Sequence, residues 1–178
     1  MPNYLQNRGS SYNEIMEIQN LRIGLGTDLH RLQENHPLWI GGIPIESPWG
    51  CVAHSDGDAL LHALIDALLG ATHLGDIGEH FPPSDAQWEN AESKALLAEV
   101  LRLIRAKHPH FFILNVDAVI ELQSPKLSPF QKEIQASLAN SLGIDVERVS
   151  IKAKTGEHLP PIGTHEAIAT QVVVLCCL

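Results

Sequence analysis

The sequence has little that would suit a membrane, a nucleic acid or an oxidising compartment. No apolar run among its 178 residues approaches the roughly 20 needed to cross a bilayer. Positive charge is scarce: 12 Lys and Arg against 21 Asp and Glu leave a formal net charge of -9. That excludes the basic face a phosphate backbone requires. It does not exclude a small phosphorylated ligand, for which a bound metal supplies local positive charge. There are only three cysteines, Cys51, Cys176 and Cys177, an odd number with no C-x-x-C spacing. They read as reduced, structural thiols of a cytoplasmic protein. Residues 1–20 are polar and lack an apolar h-region, so they read as a loose, dispensable extension, with residues 21–178 as the folded domain. Repeats, linkers and low-complexity runs are also missing.

What is present is an ordinary core-forming composition, 44% hydrophobic and 19% charged. Residues 22–29 alternate, with Ile23, Leu25, Thr27 and Leu29 on one side and Asp28 and His30 on the other, which predicts a half-buried strand. Residues 37–46, with Gly41-Gly42 at their centre, predict a hairpin. A helix apolar nearly all round follows at 59–69, capped by Asp58 or Ser55 and ended by Gly70. Residues 76–85 are loop, and 92–107 an amphipathic helix with basic last turns. Strands are predicted at 113–122, 148–153 and 167–177. Ser128 to Gln131 reads as a capping box, with Pro129 at the first position of a helix closed by Gly143. The simplest architecture is a two-layer α+β fold: one mixed sheet with helices on one face. Its other face then needs a further surface, a hint of an oligomer.

Several constellations carry chemistry. Asp28 and His30, two apart on a strand, share a face and suit zinc, although a surface pair has the same spacing. Asp58, His62 and Asp66 form a stripe at i, i+4, i+8 on an otherwise apolar helix. Charged groups are rarely carried on such a helix unless paired or binding something. His62 is the natural third ligand, and Asp66 is placed to hold its other ring nitrogen. Three protein ligands leave the fourth tetrahedral position open, the pattern of a catalytic site. His54 and Ser55 lie just ahead of the helix, placed to donate to a phosphate. Asp76-Ile77-Gly78 and the segment from Phe81 to Asp85 suit sugar hydroxyls. The loop at 123–128 exposes backbone groups that can read a base edge. Glu157, after Lys154 and Thr155, suits a hard cation shared with phosphate oxygens. Taken alone, each of these loop segments also reads as an ordinary turn or connection, and the stripe on the helix as one that simply faces water.

Together the motifs AHSDGD, HALIDALLGA and LGDIG within 53–78, the earlier G-x-D-x-H and the later Phe81-Pro82 resemble the 2-C-methyl-D-erythritol 2,4-cyclodiphosphate synthase family. The resemblance runs from about residue 21 to the C-terminus. It implies zinc on Asp28, His30 and His62, and magnesium or manganese on Glu157. It implies substrate contacts at Asp28, His30, His54, Ser55, Asp76, Ile77, Gly78, Phe81 and Asp85. On the cytidine side it implies Leu122, Pro125, Lys126, Leu127, Ser128, Lys154, Thr155 and Glu157. His54 and Thr155 fall where the family stabilises its transition state. It further implies a cytoplasmic homotrimer with sheets facing its centre and active sites between subunits. The reaction would convert 4-diphosphocytidyl-2-C-methyl-D-erythritol 2-phosphate into the cyclic diphosphate and CMP, with no protein nucleophile. A zinc phosphohydrolase, or a non-catalytic trimeric module binding nucleotide or isoprenoid phosphate, are the competing readings. The chain departs from the family at Lys154-Thr155-Gly156, where a threonine run is usual, and at 160–166, which lacks the usual aromatic and arginine. Cytosine contacts are therefore expected to be rearranged, and the family's binding of isoprenoid diphosphate at the trimer centre is not expected.

Overall fold

The computed structural model describes residues 18–82, 85–88 and 91–178. The expected extension at 1–20 therefore lies almost entirely outside the described residues. Strands β1 (Leu21–Glu34), β4 (Trp49–Cys51), β5 (Phe112–Glu121), β6 (Val149–Lys154) and β7 (Ala167–Cys177) form one sheet in the order β4-β1-β7-β5-β6. Only β5 and β6 run parallel, so the sheet is mixed as expected. Strands β2 (Leu38–Ile40) and β3 (Ile43–Ile45) form the hairpin, with Gly41 and Gly42 both at positive φ in the turn between them. The helices are α1 (Ala59–Ala71), a single turn α2 (Ile77–His80), α3 (Ser93–Lys107) and α4 (Gln131–Leu142).

The close seam between β1 and α1 positions the site. A Cβ added to Gly24 would lie 1.8 Å from the Ala67 carbonyl oxygen, and one added to Gly26 would lie 1.9 Å from that of Ala63. Only glycine permits this approach. Two strand residues advance about 6.8 Å and one helical turn of four residues about 6 Å. The contacts therefore march in step, Gly24 to Ala67 and Gly26 to Ala63, and Asp28 comes next, opposite the first turn of α1. On β7, the Thr170 hydroxyl donates to the Ala59 carbonyl at 2.8 Å and ties that first turn to the sheet.

Several local expectations change. The buried face of β1 is not its apolar one: Gly24, Gly26 and Leu32 are covered, whereas Ile23 and Leu25 are 72% and 63% exposed. Helix α1 runs through Gly70, and Thr72 caps it by donating its hydroxyl to the Leu68 carbonyl. Residues 76–85 contain the turn of helix α2. The capping box at Ser128 is not made. The Phe130 N–H closes a separate turn on Leu127 O, and α4 begins after it with no side-chain cap. Gly143, at φ 70°, does close α4. Among the described residues no helix is long and apolar enough to cross a membrane.

Candidate metal centre and substrate cleft

Asp28 and His30 project from β1 toward α1, where His62 meets them. The Asp28 Oδ2 atom lies 2.9 Å from His30 Nδ1 and 3.2 Å from His62 Nδ1. One donor atom from each residue falls within 4.8 Å of the others. Burial works against the Asp28 carboxylate, but the two imidazoles outweigh it and hold its pKa down at about 2. Burial lowers the pKa of His62, and Asp28 more than reverses this, leaving it raised.

His30 Nδ1 provides the test of fit. It is buried and makes no hydrogen bond, although Asp28 Oδ2 is 2.9 Å away: the distance suits a hydrogen bond and the angle does not. Two imidazole nitrogens and one carboxylate oxygen within 4.8 Å of one another are a donor set that suits a divalent metal ion. The residues fit such a cation.

The two aspartates flanking His62 have other employment. Asp66 accepts the Ile77 N–H at 2.8 Å and anchors α2, so it does not hold the outer nitrogen of His62 as expected. Asp58 is fully buried and accepts from Gly41 N at 2.9 Å, Gly42 N at 2.6 Å and Leu61 N at 3.0 Å. It caps α1 and pins the hairpin turn with one carboxylate. Burial pushes its pKa up while the three amides oppose the rise. The outer nitrogen of His62 instead meets Ser93 Oγ at 3.0 Å and Ser55 Oγ at 3.3 Å. Ser93 and its partner Asp56 were missed in the sequence. The available signal was a serine opening an amphipathic helix.

A cleft of about 650 Å³ opens beside the triad, lined by His30, His54, Ser55, His62, Ile77, Gly78, Phe81 and Asp85, among others. His54 is exposed there and Ser55 half-buried. Phe81 is buried and meets Trp88 edge-on at 4.8 Å, so it shapes the cleft wall. Asp76 is not among the lining residues and caps α2 by accepting Glu79 N–H at 3.0 Å. Pro83 and Ser84 lie outside the described residues. A larger hollow of about 800 Å³ between α3, α4 and the start of β5 shares no residue with this cleft or with the triad.

The remaining candidates gather where β5 and β6 end. The Leu122 N–H donates to Lys154 O at 2.9 Å. Leu122 and Leu127 are buried and Pro125 is half-buried, whereas Lys126, Ser128, Lys154, Thr155 and Glu157 are exposed. The Thr155 hydroxyl donates to Glu157 Oε1 at 2.6 Å. None of these residues lines the cleft beside the triad. The chain therefore carries two separate clusters.

Comparison with known proteins agrees over nearly the whole folded region. The profile of the YgbB family matches residues 21–177. A protein of Thermosynechococcus vestitus named 2-C-methyl-D-erythritol 2,4-cyclodiphosphate synthase is 48% identical, over 89% of this chain and 97% of its own length. One of Gloeobacter violaceus with the same name is also 48% identical, over 87% and 94%. A solved structure of a 2C-methyl-D-erythritol-2,4-cyclodiphosphate synthase superposes with a TM-score of 0.80 at 44% identity, covering 87% of this chain and 99% of that one. Another, in a form bound to CDP, gives 0.80 at 42% identity, over 87% and 99%.

Proposed function

The chain belongs to the YgbB family, and from that premise we propose how its two clusters perform the family's reaction. The protein is a 2-C-methyl-D-erythritol 2,4-cyclodiphosphate synthase, a cyclising enzyme of isoprenoid precursor biosynthesis. Its substrate is 4-diphosphocytidyl-2-C-methyl-D-erythritol 2-phosphate. An oxygen of the 2-phosphate attacks the β-phosphorus, one P–O bond forms, the bond to the bridging oxygen breaks, and that oxygen leaves with CMP.

The observation that carries the site assignment is the convergence of Asp28, His30 and His62 at the edge of a cleft that also presents His54 and Ser55. A zinc ion on the triad would supply Lewis-acid charge to the diphosphate. His54 and Ser55 donate to phosphate oxygens, and His54 and Thr155 stabilise the charge that builds at the five-coordinate phosphorus. The Gly78 amide and Ile77 hold the polyol, with Phe81 and Asp85 closing its side and Asp76 supporting them as the cap of α2. Holding the polyol folded makes the attack intramolecular, and little beyond positioning and charge stabilisation is then needed. Glu157 offers a single carboxylate next to Thr155, which would hold a magnesium or manganese ion, and that ion would supply charge to the diphosphate. Leu122, Pro125, Lys126, Leu127, Ser128 and Lys154 form the cytidine side.

We propose a cytoplasmic homotrimer with the sheets facing its centre. The exposed Ile23, Leu25 and Leu29 of β1 and Val173 of β7 form an apolar stripe that neighbouring copies would cover. Each active site would then combine the triad and cleft of one subunit with the cytidine cluster of the next. Phosphorus NMR of the enzyme with substrate and magnesium, before and after zinc stripping, tests the reaction. Metal-dependent appearance of the cyclic diphosphate and CMP is expected. Release of inorganic phosphate would indicate a phosphohydrolase, and binding without turnover a binding module.

A further inference from the structure

The outer nitrogen of His62 leads to a chain of polar groups with one consistent direction. His62 Nδ1 faces Asp28, so Nε2 points away from the triad and toward Ser93 Oγ, 3.0 Å distant. Ser93 is fully buried, and its hydroxyl in turn donates to Asp56 Oδ1. The same carboxylate accepts the Ser93 N–H at 2.9 Å and the Asp58 N–H at 3.2 Å, which fixes it between the N-termini of α1 and α3. An imidazole that ligates through Nδ1 carries its proton on Nε2 and needs an acceptor there. Ser93 Oγ accepts because its own proton is committed to Asp56. Ser55 Oγ is a longer alternative at 3.3 Å and already accepts the Gly57 N–H, and its side chain lines the substrate cleft.

We infer that Ser93, backed by Asp56, is a positioning residue that fixes the tautomer and ring orientation of His62 for metal binding. This rests on the reading of Asp28, His30 and His62 as a metal site. The link crosses from α1 to α3, so it also couples the triad to the segment that carries Trp88 at the cleft wall.

The test is zinc affinity, measured by competition with a chromogenic chelator, together with the visible spectrum of the cobalt-substituted protein. Ser93→Ala keeps the backbone N–H that bonds Asp56 but removes the acceptor. It should bind zinc about 10–100-fold more weakly, the usual effect of losing an outer partner of a ligating histidine, and should alter the cobalt bands. Ser93→Thr retains the hydroxyl and should restore affinity to within a few fold. If Ser93→Ala does not fold, Asp56→Asn, which leaves Ser93 in place but breaks the direction of the chain, should weaken zinc several fold. Wild-type affinity and spectrum in either folded variant would overturn the inference. So would a threonine variant as weak as the alanine one, because packing rather than the hydroxyl would then matter. Wild-type protein that takes up no zinc would overturn the metal site itself, a different result from the first two.

Discussion

The two faces of the main sheet look interchangeable in sequence and do opposite things. On β1 the covered face is Gly24, Gly26, Asp28 and His30, poor in apolar side chains, while the exposed face carries Ile23, Leu25 and Leu29. Apolar residues normally mark the inside. Here the inside of the subunit is marked by glycine, because α1 approaches so closely that any side chain would strike its backbone. The apolar face is left exposed, and it is the face that the proposed trimer would cover. The tandem Cys176 and Cys177 repeat the contrast, the first fully buried under the helices and the second half-buried on the open side.

The harshest way to break this contrast is Gly26→Val. Its Cβ would start 1.9 Å from the Ala63 carbonyl oxygen, so the seam must open. A loss of more than about 4 kcal/mol is expected in urea or thermal unfolding, enough to prevent folding. Leu25→Asp, one residue earlier and on the opposite face, should leave far-UV circular dichroism unchanged. It should convert a trimer into monomers by light scattering, with activity falling more than about 100-fold. Asp58→Ala removes the acceptor of three N–H groups and should cost about 2–4 kcal/mol of stability. The mildest test uses thiols. Burial pushes Cys51 up to about 12 and Cys176 up to about 11, so neither should react with iodoacetamide at pH 8 until the protein unfolds. Cys177 should be protected in the trimer and labelled in the Leu25→Asp monomer. Because the unfolded thiol of Cys51 ionises first, near its ordinary 9.0, its contribution to stability is intact below that pH. It should fall as pH rises toward 12.

Much of the fold and the metal triad was legible because both depend on short-range periodicity. Alternation put Asp28 and His30 on one face, while the meeting of His62 with them was an inference from the apolar helix and the family resemblance. The last strand, a largely apolar segment ending at Cys177, coincides with its expected bounds. Alternation does not say which face a helix covers, and that decision lies with Gly24 and Gly26. Two glycines two apart on a strand, with alanines four apart on a helix, are the signal that could have decided it. Spacing misassigned Asp66 for a related reason. One turn from His62 it shares the same stripe, but α2 folds back and offers it the Ile77 amide. Ser93 lies 31 residues from His62 and was visible only as the second residue of the expected helix at 92–107. The cluster at the ends of β5 and β6 and the triad are each readable as motifs. In the proposed trimer they join across a subunit boundary, which the sequence hinted at only through a spare sheet face and the family resemblance.

The most direct test of the central claim, an active site shared between subunits, is complementation. His62→Ala and Thr155→Ala should each be inactive alone. Co-expressed with different tags and purified as mixed trimers, they should regain activity. Every mixed trimer holds two copies of one variant and one of the other, so about a third of its interfaces are wild-type at both clusters. Recovery approaching that fraction of the wild-type rate of cyclic diphosphate formation is the predicted result. Mixed trimers as inactive as either parent would contradict the account and put both clusters in one chain.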